Sequence, residues 1–398
     1  MKPLQGLRML DLTHMLSGPY CGMMLADMGV ETIKIEPPVT GEGTRRLLEK
    51  DPRNSINGMG AYVLTLSRNK KSVTLNLKTD AGLALFYELV KHADIVLDNF
   101  SAGVNKRLKI DQATLEQINP RIITCTITGF GETGPAKDWT AFDMVSQAMG
   151  GGMSITGVEG MAPQRSGIPI GDLGGGLNGV IGILAAVIAR QSTGRGQHVD
   201  ISMLDAQISL HNYVGTMYFL SGDKPARNGN EHFVHVPYNT FPTSDGYIII
   251  ACITDEFWRG CCAALDLPDL ATEENSIVEG RQKNRAYINE TIGKRSKTNT
   301  KAHWLEKLRA NRVPCAPVND LGEALNDPQT RARNMVVDVP TPFGRSVPQP
   351  GNPIKLSDTH EDNFTPPPLL GQHTNEVLSQ WLGKTETELA NLRQQGII

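Results

Sequence analysis

The stretch Gly171-Asp172-Leu173-Gly174-Gly175-Gly176 puts one carboxylate at the head of a helix-like run. Such a carboxylate has two uses. As a helix N-cap it accepts backbone N–H groups, worth about 1 kcal/mol. As a nucleophile it can divide one hard transfer into easier covalent steps. Both can hold, since a helix N-terminus favours an anion. A nucleophilic Asp172 must be ionised, so burial should not raise its pKa strongly. The glycines cost about 1 kcal/mol each against alanine inside a helix. They are kept either for exposed N–H groups that steady an oxyanion or for close helix packing. Asp143, in Ala141-Phe142-Asp143-Met144, is a second carboxylate that could also be a cap, and its neighbour Phe142 cannot accept a proton. Arg165 would serve either a substrate carboxylate or a structural ion pair.

The elements that must position these groups come first in the chain. Residues 7–12, 31–36, 71–77, 94–100 and 121–128 read as strands, while 19–28 and 80–92 have helical spacing. Strands alternating with helices predict βαβ units and a mostly parallel sheet. Ligands on such sheets bind at the carboxyl ends of strands. The loops at 13–19, 99–103 and 129–135 follow those ends. The glycine fingerprint of dinucleotide folds is missing from the first turn and occurs only at Gly129–Gly134, out of context. Residues 141–220 read as long helices broken by glycine. Composition shifts near Pro225, with a hairpin at 240–252 around Ser244-Asp245-Gly246-Tyr247 and helices at 257–265 and 302–310. Paired strands are expected within 335–358, an extended spacer at Pro366-Pro367-Pro368 and a last helix from Thr374.

Bulk properties narrow the class. With 398 residues, 39% hydrophobic and 20% charged, the chain should fold into two or three domains. Its net charge of −3 argues against a nucleic-acid partner. No apolar run approaches the ~20 residues of a membrane span, and the longest, at 180–189, reads as a buried core helix. No signal peptide is expected. The six cysteines lack C-x-x-C spacing, so neither a zinc site nor a disulfide framework is expected, and a reducing cytoplasm suits them.

An ordered set of motifs resembles class III CoA-transferases, the relatives of formyl-CoA:oxalate transferase and carnitine CoA-transferase, with α-methylacyl-CoA racemase as a sister group. The set is Asp11-Leu12-Thr13-His14 through Gly18-Pro19, Ile33-Lys34-Ile35-Glu36-Pro37-Pro38, Thr44-Arg45, Asn69-Lys70-Lys71-Ser72, Gly129-Phe130-Gly131, Thr193-Gly194-Arg195-Gly196-Gln197 and Leu369-Leu370-Gly371-Gln372-His373-Thr374. It runs nearly end to end.

The resemblance implies that Asp172 is the catalytic nucleophile and that Asp143 contacts the site. It implies loop contacts to CoA from Arg45, Asn69, Lys70, Lys71, Asn99, Phe100 and Arg107. His14 would line the acyl pocket or bond the loop backbone, and Gly174 and Gly175 would lie beside the nucleophile. Coenzyme A thioester would be a substrate, with no permanently bound cofactor and no metal. The implied fold is α/β: a Rossmann-like large domain (1–224 and the C-terminal return 331–398) with an inserted smaller α+β domain (225–330), in an interlocked homodimer. The glutamine of the formyl-CoA enzymes' first loop is replaced by Leu16 or Ser17, and 225–252 holds no long glycine-rich lid. Gly351-Asn352-Pro353-Ile354-Lys355 and residues 366–374 look instead like relatives that move CoA among small dicarboxylates of the oxalate, succinate or glutarate class. An α-methylacyl-CoA epimerase, which needs two proton-transfer groups, and a non-catalytic CoA-binding protein are the rival readings.

Overall fold

The computed structural model describes residues 2–359 and 363–398. The chain divides into two units: Met1–Met153 with Arg165–Asp223 and Arg331–Ile398, and Ser154–Gln164 with Lys224–Thr330.

The first unit is built on a six-stranded sheet. Its strands are β1 (Arg8–Asp11), β2 (Glu31–Glu36), β3 (Lys70–Thr74), β4 (Ile95–Asp98), β5 (Ile123–Thr128) and β6 (His198–Ser202), all paired in parallel. The order is β3-β2-β1-β4-β5-β6. Leu10 lies between Ile33 and Val96, and Cys125 between Leu97 and Val199. The chain starts in the middle, moves outward through β2 and β3, then returns to the other side of β1. The crevice between β1 and β4 is therefore the switch point where such sheets bind ligands. Two of the three loops read from the sequence, those after β1 and β4, flank it.

Side chains alternate between the faces of each strand, which gives two cores. Leu10, Ile33, Val73 and Val96 point to one face, under helix α2 (Asp80–Val90) and the C-terminal helices Thr374–Leu382 and Glu386–Gln394. Met9, Ile95, Leu97, Ile123, Cys125 and Ile127 point to the other, under helix α1 (Ser17–Asp27) and a later long helix. Arg68, fully buried, fastens the C-terminal return by pairing with Asp27 at 2.7 Å and donating to the Pro350 carbonyl at 2.7 Å.

Three further helices complete the surroundings of the site: α3 (Asp143–Met149), α4 (Ile170–Thr193) and α5 (Met203–Leu210). Two expectations for 141–220 change here. The region holds β6 as well as helices. The apolar stretch at 180–189 belongs to a 24-residue helix that is long and apolar enough, by length and composition, to cross a membrane. Val180, Ile183 and Ala186 pack into the core while Ile181 and Ile188 are about two-thirds exposed, so α4 is buried on one face only.

The second unit holds a three-stranded antiparallel sheet ordered Cys315–Pro317, Gly246–Ala251, Tyr238–Thr243. Gly246 pairs with Thr243, so Ser244 and Asp245 form the hairpin tip. Helices Asp255–Leu265, Arg285–Ser296 and Lys301–Ala310 cover a core around Trp258 and Trp304.

Candidate active site

Helix α4 starts at Ile170, so Asp172 stands in its first turn and not at the cap position. The cap comes from elsewhere. Asp143 Oδ1 accepts the N–H of Gly171 at 2.8 Å and that of Asp172 at 3.4 Å. Its Oδ2 accepts from Gln147 Nε2 at 2.7 Å, and Gln147 Oε1 accepts the Ser166 N–H at 2.9 Å. Gln207 of α5 donates to the Ile170 carbonyl at 3.2 Å. A Cβ at Gly171 would collide with Ser146 Oγ and crowd the Asp143 carbonyl at 3.1 Å, so glycine suits this close approach.

Burial, and then the charge of Asp143, push the Asp172 carboxyl up to about 6. This departs from the expectation of a carboxyl little affected by burial. Near pH 7 a group with that pKa is still ionised in roughly nine molecules of ten. The anion is also more basic, hence a better nucleophile, than a solvated carboxylate.

Gly175 and Gly176 serve packing. A Cβ on Gly176 would sit 2.8 Å from the Ser17 carbonyl, and one on Gly175 would sit 3.0 Å from Ser17 Oγ. Both face the start of α1. Their N–H groups lie within α4, where each runs to the carbonyl four residues back. Of the two uses expected for these glycines, close helix packing is the one seen at Gly175 and Gly176. At Gly174 a Cβ would meet only ordinary contacts, the nearest at 3.5 Å.

The loops after β1 and β4 are tied together. Asn99 Oδ1 accepts the His14 N–H at 2.7 Å, and Asn99 Nδ2 donates to the His14 carbonyl at 2.8 Å. The His14 ring lies against Phe100, centroids 4.9 Å apart. Burial, and then the nearby Lys34 charge, lower the His14 pKa to about 4, so the ring is neutral at pH 7. Below the first loop, Asp11 is fully buried and receives Lys70 Nζ at 2.8 Å and the Thr13 N–H at 2.9 Å. Lys34 Nζ donates to the Thr13 carbonyl at 2.7 Å, and Lys70 Nζ to that of Pro19 at 3.1 Å. Burial alone would raise the Asp11 pKa, but the two ammonium groups hold it well below the usual range. This buried trio pins both ends of the loop.

The expected CoA cations are mostly committed elsewhere. Lys70 and Lys71 open strand β3 instead of lying on a loop. Lys70 is wholly buried on Asp11, where a loop cation facing the CoA phosphates was expected. Lys71 bridges Glu31 and Glu376 at 3.2 and 2.9 Å. Arg45 is bidentate to Glu36 at 2.6 and 2.7 Å. Asn69 holds Asp27 and the Thr365 N–H, each at 2.8 Å. Arg107 is exposed near the end of the short helix Val104–Leu108, with no ion pair among the described residues.

Several supports of the site carry little signal in the sequence. Asp11 and Lys34 appear within its motifs, but nothing local shows that they are buried together. Gln147 and Gln207 carry no motif signal at all. Ser17 Oγ is buried against Gly175 without a hydrogen-bond partner among the described residues.

Fold and site together define a doubly wound α/β protein with a carboxylate pair at a helix start beside its sheet's switch point. The family model for CoA-transferase family III matches residues 4–374, and the chain belongs to that family: it is a CoA-transferase. It is 35% identical to a succinate–glutarate CoA-transferase of Agrobacterium fabrum, over 95% of each chain. It is 37% identical to a succinyl-CoA:mesaconate CoA-transferase of Haloarcula marismortui, over 96% of each. Among solved structures, a CaiB/BaiF family protein from Brucella suis superposes with a TM-score of 0.85 at 35% identity, covering 96% of this chain and 99% of that one.

Proposed function

We propose that this enzyme moves CoA from an acyl-CoA such as succinyl-CoA to a small dicarboxylate of the oxalate, succinate or glutarate class, with Asp172 as nucleophile. The observation that carries the reading is a half-buried aspartate at a helix start, raised to about 6 yet still mostly ionised near neutrality. The relatives' named substrates, succinate, glutarate and mesaconate, support the acid class.

The Asp172 carboxylate attacks the thioester carbonyl and expels CoA thiolate, leaving a mixed anhydride. The thiolate then attacks the aspartyl carbonyl, which frees the donor acid and leaves an enzyme–CoA thioester. The acceptor carboxylate attacks that carbonyl, re-forming an anhydride and thiolate. Attack of the thiolate on the acyl carbon releases the new acyl-CoA and restores Asp172. No proton moves in this cycle, so the neutral His14 and the unreactive Phe142 are no obstacle, whereas an epimerase would need two proton-transfer groups.

In this reading His14, Asn99 and Phe100 border the thioester end of CoA, and Arg107 is the cation for its phosphates. The two units act as a CoA-binding large domain and a smaller α+β domain inserted in it. An interlocked homodimer would cover apolar side chains of the first unit, among them Phe219 and Leu220, 85% and 83% exposed. Six cysteines without disulfides suit a cytoplasmic setting. The test is a matrix of succinyl-, acetyl- and formyl-CoA against short mono- and dicarboxylates, run with the native enzyme and with Asp172→Ala. Exchange is expected with dicarboxylates and only in the native enzyme; full activity of the variant would overturn the assignment.

A further inference from the structure

Arg165 is the only lysine or arginine between Asp143 and Asp172. A structural ion pair would be its ordinary use, yet none exists among the described residues. Its guanidinium is exposed and makes one hydrogen bond, to the Ser166 carbonyl at 3.2 Å. The next cations along the chain are already paired, Lys137 with Asp138 and Arg190 with Asp94, each at 2.9 Å.

The segment that carries Arg165 is fastened to the site. Ser166 donates to Gln147, Gln147 donates to Asp143, and Asp143 receives the N–H groups of Gly171 and Asp172. One glutamine and one aspartate therefore link the backbone beside Arg165 to the start of α4.

Charge balance gives this cation work to do. A dicarboxylic acyl chain joined to Asp172 brings a distal carboxylate next to Asp143, and a carboxylate leaving water there needs a counter-charge. A guanidinium fork matches it in two hydrogen bonds. The receptor must also stand off from Asp172 by the length of the acyl chain, and the segment of Arg165 is joined to Asp172 only through Ser166, Gln147 and Asp143.

We propose that Arg165 receives the distal carboxylate of the dicarboxylic acyl group and so sets the enzyme's preference for diacids over monoacids. The proposal rests on the dicarboxylate reading given above. The test compares kcat/KM for succinyl-CoA and butyryl-CoA, which share a four-carbon acyl chain and differ in the terminal carboxylate. It uses the native enzyme, Arg165→Gln and Arg165→Lys, each with its melting temperature checked. The succinyl-to-butyryl ratio is expected to fall about 10- to 100-fold in Arg165→Gln, the scale of one lost charge-assisted hydrogen bond, and to recover in part in Arg165→Lys. A native preference for succinyl-CoA that survives in Arg165→Gln would overturn the role of Arg165 and leave the dicarboxylate reading standing. No preference in the native enzyme would overturn both.

Discussion

Asp143 Oδ1 accepts the backbone N–H of Asp172 at 3.4 Å, alongside that of Gly171, while its charge helps raise the Asp172 pKa. One carboxylate thus both holds the helix start and tunes the group borne on it. Asp143→Asn keeps an acceptor but removes the charge. With Asp172 as the nucleophile, the acid limb of the kcat/KM–pH profile is expected near 6 in the native enzyme and at lower pH in Asp143→Asn. An unmoved limb would show that Asp143 does not tune Asp172. Asp143→Ala should in addition lose about 1 kcal/mol of stability, the usual value of a cap.

Because the pKa of Asp172 is raised in the fold, its protonated form contributes stability that is fully present below about pH 4 and lost as pH rises through about 6. Asp172→Asn should therefore unfold at a higher urea concentration than the native enzyme above pH 6. The gain is of the order of 1–3 kcal/mol and should shrink as pH falls toward 4. A gain that does not depend on pH would contradict this.

The glycines of α4 should part ways on substitution. Gly174→Ala meets only ordinary van der Waals contacts and adds helix propensity, so it is expected to raise stability by up to about 1 kcal/mol. Gly176→Ala pushes a methyl against the Ser17 carbonyl and should lower it by about 1–3 kcal/mol. Thermal melts of the two variants decide; equal effects would remove the packing account.

Asp11→Asn leaves the buried Lys34 and Lys70 without their counter-charge and should cost about 3–5 kcal/mol in urea unfolding. Lys71→Ala, which breaks only half-exposed pairs, should cost less than about 1 kcal/mol. Similar losses for the two would mean that the trio does not anchor the loop.

Much of the sheet was readable in advance. Glu31–Glu36 is a strand over the residues its apolar alternation indicates, and the loops after β1 and β4 do flank the switch point. Strand β6 is hard to read from sequence, although His198-Val199-Asp200-Ile201-Ser202 alternates polar and apolar, because the glycine-broken helices around it mask the change of period. Asp172 and Asp143 were both legible as carboxylates of interest. Which of them caps α4 was not, because the cap crosses from one helix to another. Lys70 looked like a surface cation for the same reason: its burial depends on Asp11, 59 positions away. Local pattern reports propensity and periodicity, whereas ion pairing is settled by tertiary packing.

The central claim is that the covalent intermediates form on Asp172. Incubation with a donor acyl-CoA, trapping with hydroxylamine, and peptide mass spectrometry test it most directly. The account predicts a hydroxamate on the peptide carrying Asp172, dependent on donor and absent from Asp172→Asn. A hydroxamate on another residue, or CoA exchange at the native rate in a protein that never labels, would contradict it.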